Sequence, residues 1–271
     1  MRLLVTGAGG MLGREVVRVA AEHDVSSLTH ADLDVTDRDA VARAARDSVV
    51  INCAAFTDVD GAETDEDVAT RVNGEAAGHL AAAARAVVYP STDYVFDGSK
   101  GTPYVESDPT GPRSAYGRSK LAGEHAVARA NPRHIIVRTS WLFGPGGRNF
   151  VDTMLTAASE RDELRVVDDQ IGCPTYSGHL AAALVELATS DAYGIHHVAG
   201  AGACSWFEFA IEIFRQADVG VRVVPCSTDE FPRPAPRPAY SVLGSERPDA
   251  IRLPDWHEGL AAYLAERAPA R

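Results

Sequence analysis

The chain has 271 residues, 45% of them apolar and 24% charged, with a formal net charge of −12. That composition suits a soluble globular enzyme and excludes a disordered chain, while the acid excess argues against a broad nucleic-acid surface. No apolar run approaches membrane-spanning length, and the N-terminal run is too short for a secretory signal, so a cytoplasmic protein is expected.

The first predicted element is the short apolar strand Leu3-Leu4-Val5-Thr6, which passes directly into Gly7-Ala8-Gly9-Gly10-Met11-Leu12-Gly13 and an amphipathic stretch from Arg14 to Glu22. Strand, glycine turn and helix in this order form a phosphate-binding unit. Gly7 allows the tight turn, Gly10 lets the backbone approach a pyrophosphate, and Gly13 lets the helix pack on the strand. The spacing is G-x-x-G-x-x-G, because Leu12 stands where G-x-G-x-x-G needs its last glycine. A second strand is expected near Ser26 to Thr29. No acid ends it to bind an adenine ribose, and Asp32 and Asp34 come slightly later, which favours NADPH over NADH.

Apolar runs recur at Val49 to Ala55, Ala86 to Tyr89 and His134 to Arg138, separated by Ala-rich helical stretches such as Glu66 to Arg85. Strands alternating with helices predict a Rossmann-like α/β fold, a doubly wound parallel sheet with both faces covered. Residues 1–150 are expected to form the dinucleotide-binding domain. Residues 151–271 are expected to form mainly a substrate lobe, with some segments returning to the first domain. Helices are predicted at Val151 to Arg161, Gly178 to Thr189 and Trp206 to Ala217. Five prolines between Pro225 and Pro238 predict an extended loop. The four cysteines lack C-x-x-C spacing and the nine histidines lack ligand spacing, so neither a metal nor a disulfide framework is expected. His196-His197 reads as part of a strand.

Tyr116 and Lys120 stand four residues apart, on one face of a predicted helix. The chain holds only two lysines, Lys100 and Lys120. A Tyr and Lys so placed can move a proton: the phenol donates, and an ammonium within about 4 to 6 Å is expected to lower its pKa by roughly 1 to 3 units.

The glycine turn, Asn52-Cys53-Ala54-Ala55, Ser91-Thr92-Asp93-Tyr94-Val95-Phe96 and the Tyr116/Lys120 pair, in this order, resemble the extended short-chain dehydrogenase/reductases. Ser91 to Phe96, Arg138-Thr139-Ser140-Trp141, Asp169 to Thr175 and Arg237 to Leu243 further resemble the dTDP-4-dehydrorhamnose reductases, and the likeness runs from Leu3 to about Tyr263. The resemblance implies reduction of the C4 ketone of a dTDP-4-keto-6-deoxy sugar by NADH or NADPH. It implies a catalytic set of Thr92, Tyr116 and Lys120, with Asp93, Trp141 and Arg237 at the sugar nucleotide. It puts Gly7, Gly10, Met11, Leu12 and Gly13 at the pyrophosphate and Asp34 and Val35 beside the adenine. Ala54, Ala55, Phe56, Tyr116, Lys120 and Trp141 line the rest of the cofactor.

Departures from the pattern carry their own expectations. Pro90 removes a ladder donor, which would displace Thr92, and the link from Arg85 to Ala86 is unusually short. Glu15 matches one carboxylate of a metal-linked dimer in some relatives, but Gly178 and His257 stand at other ligand positions, so a homodimer stays open as an expectation while its joining through metal is not expected. A sugar-nucleotide epimerase or dehydratase would share the fold, as would a non-catalytic dinucleotide-binding regulatory subunit. Tyr94 stands where a dehydratase carries a second acid, and the intact triad argues for chemistry.

Overall fold

The computed structural model describes residues 2–267. The first half runs β1 (Arg2–Thr6), α1 (Met11–Val19), β2 (Asp24–Leu28), α2 (Arg38–Ala45), β3 (Val49–Asn52), α3 (Glu66–Thr70), a π-helical segment (Arg71–Ala76), α4 (Ala77–Ala83), β4 (Ala86–Thr92), α5 (Ala115–Ala130) and β5 (His134–Thr139). The second half runs β6 (Leu142–Phe143), α6 (Phe150–Glu160), β7 (Glu163–Val167), β8 (Ile171–Gly172), β9 (Thr175–Tyr176), α7 (Ser177–Ala188), β10 (Gly194–His197), β11 (Cys204–Ser205), α8 (Trp206–Ala217), β12 (Arg222–Cys226) and α9 (Trp256–Arg267).

Six strands form one parallel sheet in the order β10-β5-β4-β3-β1-β2. The fold is the Rossmann-like doubly wound sheet. Alternate residues of each strand feed opposite faces: Leu3, Val5, Ile51 and Val88 pack with α1 and α7, and Leu4, Val50, Val87 and Ile136 pack with α2, α4 and α5. Burial on both faces explains why these strands read as continuous apolar runs. A separate core of Phe143, Leu164, Val166, Phe209, Ile213, Trp256 and Tyr263 belongs to the second half of the chain. The sixth strand, β10, and α7 also come from that half and pack with the large sheet.

The sheet winds outward in both directions from the gap between β1 and β3, and ligands of such folds bind at the carboxyl ends of the strands there. Two short links meet at the opposite pole, where β3 and β4 begin. Arg46, after α2, bridges Ala84, after α4, and the Arg85 N–H donates to the Ser48 carbonyl at 2.9 Å. With Asp47 at φ 61°, each link turns within a few residues and braces the other. The prolines do not form one extended loop: Pro225 lies within β12, paired in parallel to Val166 of β7, and a 3-10 turn follows at Thr228–Glu230. Among the described residues only β7 pairs with β12, so a proline nitrogen fits on its other edge.

Candidate active site

The glycine turn has the shape its sequence predicts. Gly7 adopts φ +65°, and a Cβ there would lie 2.5 Å from the Ala54 nitrogen. A Cβ on Gly13 would lie 2.2 Å from the Gly7 carbonyl, so α1 meets the turn in contact that only glycine permits. Gly10 is the N-cap of α1, with no side-chain cap and no acid in the first turn. Its N–H donates to Gly7 at 3.0 Å, while the next N–H groups, of Met11 and Leu12, open the helix. This uncapped, positively polarised end faces the switch point and fits an anionic ligand.

Across the switch point, the segment after β3 is held from two sides. Asn52 Oδ1 accepts from the Thr6 hydroxyl at 2.7 Å and from the Ala54 N–H at 3.2 Å. Asn73, buried in the π-helical segment, accepts from the Phe56 N–H at 2.9 Å and donates to the Phe56 carbonyl at 3.0 Å and to Ser119 Oγ at 2.9 Å. Ser119 in turn donates to the Tyr116 carbonyl at 2.8 Å. Asn73 therefore ties Ala54 to Phe56 to the helix that carries Tyr116 and Lys120. Nothing in the sequence pattern singled it out, because its partners lie far along the chain.

Tyr116 and Lys120 occupy the first turns of α5, capped by Ser114, whose Oγ accepts from the Gly117 N–H at 3.1 Å. Lys120 is buried, with its Nζ donating to the Pro90 carbonyl at 2.7 Å and lying 4.1 Å from the centre of the Tyr89 ring. Burial pushes the ammonium down to about 7, against upward pulls from Glu124 and Cys53. Pro90 does not displace Thr92. The Val87 N–H donates toward β5, so alternation turns the Pro90 nitrogen toward β3, where pairing has already ended at Val88. The lost donor has no partner to miss, the free carbonyl receives Lys120, and β4 stays paired with β5 through Thr92 and Thr139.

Thr92 and Asp93 end β4 beside this pair. The Thr92 hydroxyl donates to Asp93 Oδ1 at 3.1 Å, and Asp93 Oδ2 is buried without a hydrogen-bond partner. Burial raises the Asp93 carboxyl to about 6, although the Ser241 and Thr92 hydroxyls pull it back. Tyr94 sets its ring edge-on to Tyr116, with centroids 5.7 Å apart.

A cleft of about 340 Å³ opens next to Tyr94, bounded by Phe150, Trp206 and Phe231 on its apolar side and by Arg165, Arg233 and Arg237 on its charged side. Arg237 forks onto Asp60, with Nη2 donating to Oδ2 at 3.0 Å, and Arg233 lies 3.6 Å from the same carboxylate. Asp60, unremarked in the sequence, thereby joins the loop after β3 to the cleft. Trp141, at φ +47°, stacks on Trp206 with centroids 3.5 Å apart. Gly172 backs it so closely that a Cβ there would lie 2.4 Å from the indole.

A family model described as the RmlD substrate binding domain matches residues 1–268. The chain is 48% identical to a probable dTDP-4,6-dihydroxy-2-methyloxan-3-one 4-ketoreductase of Streptomyces antibioticus, over 100% of this chain and 99% of the relative. It is 45% identical to the dTDP-4-dehydrorhamnose reductase of Mycolicibacterium smegmatis, over 97% of this chain and 85% of that one. The crystal structure of dTDP-4-dehydrorhamnose reductase from Bacillus anthracis in complex with NADP superposes with a TM-score of 0.94 at 40% identity, covering 98% of this chain and 99% of that one. The chain belongs to the dTDP-4-dehydrorhamnose reductase family.

Within this dTDP-4-dehydrorhamnose reductase family member, the expectation for Tyr116 needs correction as well. The Tyr116 pKa is raised to about 12 rather than lowered: burial and the Asp93 carboxylate raise it, the Thr92 hydroxyl lowers it, and Lys120 is aimed at Pro90. Asp32, which follows β2 as the sequence has it, folds back on Thr29: its Oδ2 accepts from the Thr29 N–H at 2.9 Å and from its hydroxyl at 2.6 Å. Thr29 lies beside the glycine turn, its methyl 3.6 Å from where a Gly9 Cβ would sit. Asp34 folds onto Thr36, while Val35 is buried with Leu4 and Val41. Among the described residues, no cluster of His, Cys, Asp or Glu is placed to hold a metal. Glu15 pairs with Arg18 at 2.6 Å, and His257 lies against Asp255. No described helix is long and apolar enough to cross a membrane.

Proposed function

We propose that this chain reduces the C4 ketone of a dTDP-linked 4-keto-6-deoxy sugar, with Tyr116 as proton donor and NADPH or NADH as reductant. The observation that carries the reading is the convergence of Thr92, Asp93, Tyr116 and Lys120 at the end of β4 and the start of α5, next to an uncapped helix terminus at the switch point. The bound dinucleotide supplies a hydride equivalent to C4. Gly7, Gly10, Met11, Leu12 and Gly13 hold its pyrophosphate, and Ala54, Ala55 and Phe56 line it. Asp34 and Val35 mark the adenosine end, and Trp141 stands toward the sugar.

The chain's own groups handle the proton. A phenol pushed up to about 12 stays protonated at neutral pH and is available to donate when negative charge grows on the ketone oxygen. Thr92 hydrogen-bonds that oxygen, and Lys120, anchored on the Pro90 carbonyl, holds the nicotinamide ribose hydroxyls. Asp93 Oδ2, a buried acceptor lacking a donor, takes a sugar hydroxyl. Arg237, with Arg165 and Arg233, meets the diphosphate, and the aromatic wall meets the base. Elimination as in a dehydratase lacks its acid, because Tyr94 occupies the place of the second carboxyl. The enzyme works in the cytoplasm, where reduced dinucleotide is regenerated.

Incubation with dTDP-4-keto-6-deoxy sugars and either reduced dinucleotide tests this reading. Loss of reduced cofactor with formation of a C4 alcohol, identified by NMR, is expected. Conversion of the sugar with no cofactor consumed would contradict it.

A further inference from the structure

A cluster of ionised groups lies beneath Tyr116 and Lys120, out of reach of the reacting atoms. Arg138 Nη2 donates to Glu124 Oε2 at 2.8 Å, and both side chains are 3% exposed. Arg138 Nε adds a second bond to Oε1 at 3.0 Å, and the Ser91 hydroxyl donates to the same oxygen at 2.6 Å. His197 Nε2 lies 3.4 Å from Arg138 Nη1, and the Phe96 ring centre is 5.0 Å from the guanidinium carbon. A buried ion pair is a poor device for stability, since removing two charges from water costs about as much as their attraction returns. Its position supplies a better reason for it.

Glu124 follows Lys120 by one turn of α5, so the two side chains share a helix face. Ser91 stands between Pro90, whose carbonyl receives Lys120, and Thr92. One carboxylate thus touches the strand segment on which both Lys120 and Thr92 depend. We infer that Glu124, clamped by Arg138 and Ser91, is a positioning residue that holds Lys120 as an ammonium and keeps the Pro90 to Thr92 segment aligned with it.

The inference rests on the reading of Lys120 as part of a ketoreductase site. Of the groups that oppose the burial of Lys120, Glu124 is the strongest and Cys53 the next. The other groups facing this region are Tyr116 one turn earlier, Tyr89 from β4 and Asp93 after it, and none of them replaces a carboxylate one turn away. On its far side Glu124 meets Arg138 of β5, with His197 of β10 beyond it.

Because Lys100 and Lys120 are the only lysines, each can be followed by side-chain NMR in protein labelled on lysine. Lys100, ion-paired with Asp108 near the surface, serves as the internal reference. In the full-length wild type, Lys120 titrates near neutrality. Glu124→Gln moves that midpoint down by about one pH unit or more, a tenfold fall in the ratio of ammonium to amine at fixed pH. The upper limb of the kcat profile moves with it, and KM for the sugar nucleotide stays as it was. Glu124→Gln strands Arg138, so the double variant Glu124→Leu/Arg138→Met, which removes both charges together, is titrated beside it and moves the same way. A Lys120 midpoint unmoved in the double variant overturns the inference. A moved midpoint in a protein with no ketoreductase turnover upholds it and removes the functional reading instead; turnover with an unmoved midpoint removes the inference alone.

Discussion

At the residue scale, the surroundings of Tyr116 oppose its ionisation and keep the phenol protonated. Its spacing to Lys120 was legible in the sequence, since both lie within one predicted helix. The direction of its pKa was not, because burial and Asp93 come from packing that no local pattern encodes. Asp93 shows the same effect with a cost to stability. Its native pKa of about 6 lies above the ordinary 3.8, so the folded state binds the extra proton between those values, and stability falls as pH rises through that window. The loss persists at pH 7 and is about 3 kcal/mol by the usual conversion. Asp93→Asn is therefore expected to raise Tm at pH 7 and flatten its dependence between about pH 4 and 6, while lowering kcat. Thermal melts across that range check it, and an unaltered pH dependence would count against the assignment.

At the element scale, strands and helices were readable where periodicity is local. Helices predicted from Val151, Gly178 and Trp206 appear at Phe150–Glu160, Ser177–Ala188 and Trp206–Ala217. The helix predicted from Glu66 to Arg85 appears as well, but a π-helical segment interrupts it and it ends at Ala83. The interruption has a tertiary cause: the buried Tyr89 hydroxyl draws off the Asn73 carbonyl at 2.8 Å, and Gly123 leaves room for that contact. Tyr89→Phe should cost about 1 to 3 kcal/mol and speed amide exchange across residues 71–76. Unchanged exchange and Tm would show that the segment holds its form for another reason. Pro90 likewise read as a defect in sequence, because the register that makes it harmless is set by how far β3 runs.

At the scale of the whole molecule, the site is assembled from both halves of the chain. The glycine turn and the loop after β3 come from the first 150 residues, while most of the aromatic and cationic walls of the cleft come from α6 onward. Asp60 joins the halves, accepting from Arg237 and from the Ala235 N–H at 3.1 Å. Removing its charge frees two arginines but lets their loop drift, and the second effect should dominate because the fork is geometric. Asp60→Asn is expected to raise KM for the sugar nucleotide roughly tenfold, about 1.4 kcal/mol, with cofactor affinity retained. A lower KM in steady-state assays would show that charge, not orientation, governs the cleft. The sequence carried the family motifs of both halves, but not this contact, whose partners lie 177 residues apart.

In the proposed reaction the Tyr116 phenol delivers the proton. Single-turnover reduction of a dTDP-4-keto-6-deoxy sugar by Tyr116→Phe, preloaded with reduced dinucleotide, tests it most directly. Cofactor binding close to wild type and a chemical step slowed by about 10² to 10⁴-fold are expected. A single turnover as fast as that of the wild type would contradict it.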